Sequence, residues 1–521
     1  PMYRRQRQMC IRDSSVICLI GFSIFGIAQE AIFKERNNSE VFKKLHKGVN
    51  ADISIPTRGV WPKIQYEVGL FKSVKEAGFE SVRIFEKGLE SKDQIEEALA
   101  NDLAIVICLW GNNKWAKDIE LGKKELVSRW QIMAEAWKDY PNDLVFEILN
   151  EPSGIGFDKK SQEDHLKAMS LYNLAVQTIR DIDPDRPILI SMGGHNDSEF
   201  LDPYVNEKYL TYNFDGKSFY DDPNIGVAIH FYNPKQVDGI NFAFYTESLG
   251  DDEEKWKSPI TEQIMYAVDW RAKIGVDIPI ITTEWGCWLF PERNKEELGK
   301  WIDHHMYLFK KHNIGNMWYT GIQNNQRTFG LLNSEFGWNQ FALDKLTGAK
   351  PRSFPKINQV VNGEFFKFGF AWKLSSEKII KENEFGNKAF SGNSMAKITV
   401  PENEEGQFYL QTYKGKKGYK GVEGRSLLHL KQGETYKISF IGAVENGSGK
   451  LKIILNDVID SRTIYDSSHN EGKWIELNDN PTIHEVVYTH NSETVMDVRL
   501  AFDFGGNEQV VYLDKVVFVR E

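Results

Sequence analysis

LVFEILNEP at residues 144–152 and IPIITTEWG at residues 278–286 are two stretches of similar texture in this sequence. Each begins as a run of mostly apolar residues and then reaches a glutamate, Glu151 in the first stretch and Glu284 in the second. Nearly continuous apolar runs are typical of parallel strands that are buried on both faces. Each stretch therefore predicts a buried strand that presents a carboxylate at its carboxyl end.

Six further runs of the same texture lie between residues 46 and 350, and amphipathic helical patterns separate them. The predicted strands are 46–50, 81–85, 104–109, 144–149, 188–192, 226–230, 278–282 and 315–319. The predicted helices include 65–77, 91–100, 123–138, 161–181, 259–274 and 295–312. This alternation predicts the α/β class and a (β/α)8 TIM barrel. A doubly wound sheet is disfavoured because HKGVNADIS, around the first strand, contains no glycine-rich phosphate loop.

The texture of the chain changes after about residue 353. Helical periodicity gives way to short alternating runs such as TYKISFIGA, KLKIILN and VRLAFDF, which turn residues separate. This pattern predicts a C-terminal antiparallel β-sandwich, jelly-roll-like in architecture. We therefore expect a barrel domain over residues 29–352 and a sandwich domain over residues 353–521.

The first 28 residues have the order of a secretory signal peptide, with arginines, then an apolar run over 16–28, then small residues. The run is about 13 residues long and shorter than a bilayer span, although a membrane-anchored or lipoprotein signal is the alternative. We expect a secreted or cell-surface protein with no stable membrane insertion after signal removal. The chain begins with Pro1 rather than Met, so the true start is left open. Beyond residue 28 only Cys108 and Cys287 remain, which form neither a disulfide framework nor a zinc pattern.

The formal net charge of −10, without a lysine- or arginine-rich stripe, argues against nucleic acid as a partner. A neutral polysaccharide needs no complementary charge and fits an acidic chain. We expect a monomer.

Glu151 and Glu284 follow the fourth and seventh predicted strands, so both lie at the carboxyl-terminal face of one barrel, where barrel enzymes carry their chemistry. Hydrolysis of a glycosidic bond needs such a pair of carboxyl groups, one to protonate the leaving oxygen and one to attack the anomeric carbon. The alternative for each glutamate alone is a structural carboxylate. The shared position of the two favours catalysis.

These two stretches resemble the signature segments of glycoside hydrolase family 5, whose members are retaining (β/α)8 enzymes, and the resemblance covers about residues 46–350. It implies that Glu151 is the acid/base and Glu284 the nucleophile. Five further positions match residues of the family site: Arg83, Asn150, His230, Tyr232 and Trp318.

By the same resemblance, Arg83 holds the nucleophile ionised, Asn150 binds the substrate 2-hydroxyl, and Trp318 lies under the sugar at the cleavage site. The sequence departs from the family after the third strand, where Trp110 stands in place of a histidine. That contact is then missing or is supplied by Asn112 or Asn113, and the departure bears on the substrate.

The implied mechanism keeps Glu284 anionic through Arg83 and leaves the proton on Glu151, because two close carboxyl groups cannot both ionise easily. It needs no catalytic cofactor. We expect an endo-β-1,4-glucanase that acts on a β-glucan or related plant polysaccharide. β-Mannanase, xyloglucanase, xylanase and β-1,3/1,6-glucanase specificity remain alternatives, as does a catalytically silent carbohydrate-binding protein. Trp288 is a further candidate for substrate contact, and Trp61 a weaker one.

The C-terminal region resembles a carbohydrate-binding module of the family 4/9 type. The resemblance rests on NGEF at residues 362–365, Trp372 and the run 499–518. It implies a structural calcium in the module, with Glu364 and Asp514 near it. Candidate sugar-stacking residues, which are equally compatible with core or loop positions, are Tyr413, Tyr419 and Trp474.

Overall fold

A computed structural model gives the fold for most of the chain. It describes residues 36–54, 64–66, 68–216, 218–232, 243, 249–289, 294–322, 330–333, 337–351, 358–360, 363, 365, 372–391, 394–410, 428–458, 460, 462–470 and 474–521. The proposed signal peptide and Trp61 lie outside these residues.

Eight parallel strands form a closed barrel, in which each strand pairs with the next along the chain and the last pairs with the first. The strands are β1 (Gly48–Ala51), β2 (Ser81–Phe85), β3 (Ala104–Cys108), β4 (Leu144–Glu147), β5 (Ile188–Ile190), β6 (Ile225–Phe231), β7 (Ile280–Trp285) and β8 (Ile314–Ile322). Nearly every residue in them is buried, as the continuous apolar runs predict. The predicted (β/α)8 barrel is confirmed.

A helix follows each strand on the outside of the barrel. The helices are α1 (Leu70–Glu76), α2 (Lys92–Ala100), α3 (Ile119–Trp137), α4 (Gln162–Arg180), α5 (Leu201–Tyr204), α6 (Glu253–Ile274), α7 (Lys295–Lys311) and α8 (Gln340–Leu346). Several predicted helix boundaries are displaced by a few residues, and the largest difference is at α6, which begins at Glu253 with Pro259 inside it. The Asp252 side chain caps the first turn by accepting from Glu254 N, so the helix starts at the capping residue and continues through the proline.

The interior of the barrel is filled in layers. A short helix before β1, Val41–Lys44, together with Leu45, packs into the end of the barrel where the strands begin. Its apolar partners come from six different strands: Ala104, Val106, Val145, Leu189, Ala228, Ile281 and Met317. Inward-facing residues one layer further along the strands, such as Cys108 and Glu147, are buried but polar, and they form the floor of the site.

The C-terminal region contains two antiparallel sheets around one apolar core, which confirms the predicted β-sandwich. Its strands are β9 (Trp372–Leu374), β10 (Ile380–Phe385), β11 (Ser394–Val400), β12 (Gln407–Leu410), β13 (Leu428–Leu430), β14 (Thr435–Val444), β15 (Ser448–Asp457), β16 (Arg462–Asp466), β17 (Ile475–Asn478), β18 (Thr482–Thr489), β19 (Val495–Asp503) and β20 (Gln509–Arg520). The order in one sheet is β10-β11-β20-β14-β18, and β9, β12, β13, β15, β16, β17 and β19 form the other. Trp372 is 1% exposed and stacks on Phe408, so it belongs to this core.

Within the described ranges, we find no helix that is both long and apolar enough to span a bilayer.

Candidate active site

Arg83 is the centre of a buried polar cluster inside the barrel. Its guanidinium donates to both carboxylate oxygens of Glu147, from Nε at 2.6 Å and from Nη2 at 2.9 Å. It also donates from Nη1 to Asn50 Oδ1 at 2.8 Å and to Glu284 Oε1 at 2.7 Å. Arg83 and Glu147 are 1% and 0% exposed, so this charge-assisted network replaces the water that both ions would otherwise need.

Glu147 was missed by the sequence analysis. It is the fourth residue of LVFEILNEP and the last residue of β4. A carboxylate within an apolar strand of this kind is a signal in itself, because burial of an ionised group requires a partner. Arg83 is the partner of Glu147, which it binds through Nε and Nη2, and its Nη1 donates to Glu284.

Glu284 lies near the end of β7, is 5% exposed, and has both carboxylate oxygens engaged. Oε1 accepts from Arg83, and Oε2 accepts from the Tyr232 hydroxyl at 2.8 Å. Burial and the charge of Glu284 raise the pKa of the Tyr232 phenol, so Tyr232 stays a hydrogen donor. Glu284 therefore has one hydrogen-bond donor on each oxygen, a guanidinium on Oε1 and a phenol on Oε2.

Glu151 follows β4 on a strained turn. Its φ of 31° lies in the left-handed region that non-glycine residues rarely adopt, and Pro152 begins a short 3₁₀ turn immediately after it. The side chain faces two imidazoles, with Oε1 3.0 Å from His230 Nδ1 and Oε2 3.2 Å from His195 Nδ1. Strain of this type is found where a side chain is held in a functional position.

The two imidazoles act on the pKa of Glu151. Burial alone would raise the pKa of this carboxyl, but hydrogen bonds from His195 and His230 outweigh burial and hold the pKa well below its usual range. Burial would lower the pKa of His230, but the charge of Glu284 and the hydrogen bond to Glu151 raise it. Glu151 and His230 therefore share a hydrogen bond in which each group shifts the pKa of the other.

Glu151, His230 and Glu284 each offer a ligand atom within 4.8 Å of one another. The trio has the donor types of a metal site. However, both oxygens of Glu284 are already bound by Arg83 and Tyr232, and those of Glu151 by the imidazoles. The described contacts thus satisfy both carboxylates from within the protein.

Asn150 lies beside Glu151 and is 1% exposed. Its Oδ1 accepts from Arg83 Nη2 at 2.8 Å, whereas its Nδ2 is buried and has no hydrogen-bond partner among the described residues. A buried donor without a partner is unfavourable unless a ligand supplies the acceptor. This geometry fits a substrate hydroxyl.

Trp318 does not fit the role expected of it. It is fully buried and packs edge-to-face on Trp285 at 5.0 Å and on Trp301 of α7 at 6.3 Å, so no face of its ring is open to a sugar. The next residue, Tyr319, is partly exposed and lies edge-on to Tyr232 at 6.4 Å. Burial and the charges of Asp52 and Glu284 raise the pKa of Tyr319. The aromatic ring on the cleft side of β8 is therefore that of Tyr319.

Trp110 is 43% exposed, and its ring meets that of Phe85 edge-on at 5.5 Å. It lies next to the catalytic candidates, because a Cβ placed on Gly154 would be 3.5 Å from Trp110 Cζ2 and 3.7 Å from Glu151 Cβ. Trp288, on the loop after β7, is partly exposed, and its backbone N–H donates to Ala243 O at 2.9 Å.

His195 was also missed by the sequence analysis. It lies in the turn Gly193–Asn196 after β5, a segment without periodicity or a motif that would indicate a role. Its neighbour Asn196 is buried, with Nδ2 3.3 Å from His230 Nε2. The turn thus reaches Glu151 directly and also through His230.

In the C-terminal region, Asp514 is fully buried, with Oδ2 accepting from Ser391 N at 2.6 Å and Oδ1 from Lys515 N at 2.7 Å. Glu364, Tyr413 and Tyr419 lie outside the described residues. Trp474 is partly exposed, and Lys450 and Lys452 place their ammonium groups 5.0 and 5.3 Å from its ring centre.

Comparison with known proteins agrees with these two regions. The model of the cellulase family, glycosyl hydrolase family 5, matches residues 56–325, and that of a carbohydrate-binding domain matches residues 358–509. Endoglucanase A of Clostridium longisporum is 23% identical over 299 residues, which cover 52% of this chain and 54% of that protein. Endoglucanase B of Neocallimastix patriciarum is 25% identical over 241 residues, or 43% of this chain and 45% of that protein. The chain spans about half or less of the length of such curated relatives.

Among solved structures, Thermotoga maritima Cel5A with cellobiose aligns with 59% of this chain and 99% of its own, at 24% identity and a TM-score of 0.47. A hyperthermophilic endo-β-1,4-glucanase with substrate aligns at 24% identity and a TM-score of 0.46, over 59% of this chain and 98% of its own. Because the cellulase model matches slightly more than half of the 521 residues, the chain belongs to glycosyl hydrolase family 5, and a carbohydrate-binding domain follows its barrel.

Proposed function

We propose that this protein is a retaining endo-β-1,4-glucanase that hydrolyses a β-glucan by double displacement. The observation that carries the proposal is the closeness of the two carboxyl groups, which each place an oxygen within 4.8 Å of the other at the carboxyl-terminal face of the barrel. Retaining glycosidases hold their carboxyl groups about 5–5.5 Å apart, whereas inverting enzymes need roughly 6.5–9.5 Å to admit a water molecule. The distance favours direct attack by one carboxylate.

In the first step Glu284 attacks the anomeric carbon, and the bond to the leaving oxygen breaks. Arg83 and Tyr232 orient the two oxygens of Glu284 and keep it ionised until it attacks. Formation of the glycosyl ester removes the negative charge of Glu284.

The leaving oxygen takes its proton from Glu151. Glu151 Oε1 lies 3.0 Å from His230 Nδ1, and the pKa of His230 is raised, so this imidazole can supply the proton to Glu151 along their hydrogen bond. The two groups therefore titrate as a unit, and the protonated pair is the active acid. In the second step Glu151, again a carboxylate, accepts a proton from the water that attacks the anomeric carbon. The bond from that carbon to Glu284 breaks and releases the carboxylate, and the product keeps the β configuration.

The two carboxyl roles predict different results for matched amide variants. E151Q should lose roughly 10²–10⁴-fold of kcat/KM on polymer, because its amide cannot protonate the leaving oxygen. On a dinitrophenyl glycoside, whose leaving group needs no proton, E151Q should still give a burst of phenolate. E284Q should give none, because the nucleophile is absent. E120Q, at an exposed carboxylate on α3, should behave as wild type, and equal activity of all three variants would refute the assignment.

The β-1,4-glucan specificity rests on the relatives that are named endoglucanases and on the family match. Trp110 and Tyr319 offer aromatic surfaces beside the two carboxylates, and Asn150 offers an unsatisfied donor for a hydroxyl. Mannan, xyloglucan, xylan and β-1,3/1,6-glucan remain alternative substrates. Release of reducing ends from a panel of these polymers, with product sizes, tests both the linkage and endo action.

A catalytically silent sugar-binding protein is the competing proposal. The contacts around Glu284 and Glu151 favour catalysis. A binding protein has no need to pair one carboxylate with a guanidinium and to place the other beside two imidazoles. Failure to release reducing sugar from every polymer, while binding one of them, would favour the silent protein.

We further propose that residues 353–521 hold the enzyme on its substrate and that the protein is secreted and monomeric, as the carbohydrate-binding domain of a polysaccharide hydrolase suggests. On the outer face of the five-stranded sheet, Tyr512 and Phe390 border a cleft with polar edges that suits a glycan chain. Affinity electrophoresis of wild type and Y512A in β-glucan gels tests binding there.

A structural calcium in this domain stays a proposal that rests on Asp514. Its complete burial is consistent with a metal nearby, although two backbone N–H groups already account for one contact at each oxygen. An unchanged unfolding temperature of the domain on exchange of calcium for a chelator would exclude it.

A further inference from the structure

We propose that His195 is a positioning residue for the acid/base, whose Nδ1–H donates to Glu151 and stabilises the carboxylate that activates water in the second step. This inference rests on the proposed function and deepens it. It starts from a contact that needs no substrate: His195 Nδ1 lies 3.2 Å from Glu151 Oε2, on the oxygen that His230 does not bind.

The conformation of the turn that carries His195 is constrained by its neighbours Gly194 and Asp197. Gly194 has a φ of +75°, which favours glycine, and a Cβ there would lie 2.8 Å from Asp197 Oδ2. The backbone N–H of His195 donates to the same Asp197 oxygen at 3.3 Å, and Lys159 Nζ lies 3.9 Å from it. The imidazole thus extends from a fixed loop toward Glu151, while 47% of its side chain remains exposed.

The other groups around Glu151 cannot replace this contact once the glycosyl ester has formed. Glu284 is then uncharged, so it no longer favours a cationic His230. Arg83 is bound to Glu147, the Tyr232 hydroxyl donates to Glu284 Oε2, and Tyr319 packs edge-on against Tyr232. His230 and His195 are the two described donors on the Glu151 carboxylate, one on each oxygen.

The direction of the effect follows from this arrangement. A donor to a carboxylate stabilises its ionised form, so loss of the donor raises the pH at which Glu151 becomes protonated and inactive as a base. His195 is half exposed, and we therefore expect a shift of about one pH unit, which is roughly a tenfold loss of rate below the limb.

The experiment uses the full chain and a dinitrophenyl β-cellobioside, because a leaving group that departs without a proton makes the second step limiting. H195L should move the acid limb of kcat to higher pH by about one unit, lower kcat roughly tenfold below that limb, and enlarge the burst of phenolate. H195N retains an N–H donor near the position of Nδ1, and should return the limb to within a few tenths of a unit of wild type.

H304L is the matched control, because His304 lies on α7, where its Nε2 contacts Thr261 Oγ1 at 3.3 Å, outside the site. It should leave the profile unchanged. An H195L profile that superimposes on wild type, with the same burst, overturns the inference even though the enzyme is active. A wild-type protein that hydrolyses no β-glycoside overturns the proposed function instead, so the two failures are distinct.

Discussion

Replacement of Glu147 by glutamine is the sharpest test of the buried cluster. The substitution keeps the shape of the side chain but removes its charge and replaces one acceptor with an N–H₂ group. Arg83 now donates to both oxygens of Glu147, so in E147Q one guanidinium N–H would face another donor instead of an acceptor. The guanidinium is 1% exposed, and water cannot take over the lost contact.

The magnitude follows from the burial of both partners. Breaking a buried ion pair from one side costs about 3–5 kcal/mol, because the remaining charge is left without its partner. For a domain of this size, that corresponds to a fall in the unfolding temperature on the order of 4–7 °C. Activity should fall as well, since Arg83 would be free to shift from the position that orients Glu284.

The assay is thermal unfolding of the full chain, with the barrel transition identified by its coincidence with loss of hydrolysis. E120Q makes the same chemical change at an exposed pair, Glu120 with Lys123, and should change stability by less than about 0.5 kcal/mol. A loss in E147Q no larger than that of E120Q would show that Glu147 does not support Arg83, and would refute the reasoning.

Three further predictions concern the Glu151–His230 pair and the aromatic side chains of the cleft. The alkaline limb of kcat/KM should lie above the ordinary imidazole range, because the proton that is lost belongs to the Glu151–His230 pair and the pKa of His230 is raised; a pH–rate profile with a limb below that range would contradict this. W110A should raise KM on polymer roughly tenfold with a smaller change in kcat, as expected for loss of a stacking surface worth about 0.5–1.5 kcal/mol. Initial rates across polymer concentrations measure this, and an unchanged KM would contradict the prediction. Y319A should weaken kcat/KM more than W318F does, since only Tyr319 has an exposed surface, and the reverse order in the same assay would restore Trp318 as the platform.

The barrel and both catalytic candidates could be predicted because they depend on patterns that survive small errors of position. An apolar run followed by a glutamate indicates a strand end even when its boundary is misplaced by two residues. Arg83, at the centre of β2, was found through the family resemblance. The strand that carries each of these residues determines its height along the barrel axis.

The face of β8 on which the Trp318 side chain lies could not be predicted from the sequence, because it depends on the exact register of the strand. Side chains alternate across a strand, so a shift of one residue moves a side chain from the interior to the outer face. The pairing of β8 with β7 is irregular between Asn316 and Trp318, which is where that alternation would have to be counted. The resemblance pointed to the tryptophan, whereas the irregular strand brings Tyr319 to the cleft.

Glu147 and His195 were missed for opposite reasons. Glu147 is a visible carboxylate within an apolar strand, but its role depends on an ion pair with Arg83 on a different strand. His195 lies in an irregular turn, where its distance from Glu151 depends on the positive φ of Gly194 and on the contact with Asp197. No sequence pattern records such a contact between residues that are 44 positions apart.

The plug formed by Val41–Lys44 and Leu45 has a consequence for the order in which the chain is made. It is synthesised before all six strands that it covers, and Asn316 of β8 donates to the backbone of His46 across 270 positions. Until β8 leaves the ribosome, the apolar face of this helix has no complete partner. Contacts of such long sequence separation form slowly. Nascent chains that stop before β8 should therefore expose Val41 and Phe42, and they would be the species that chaperones hold and proteases remove.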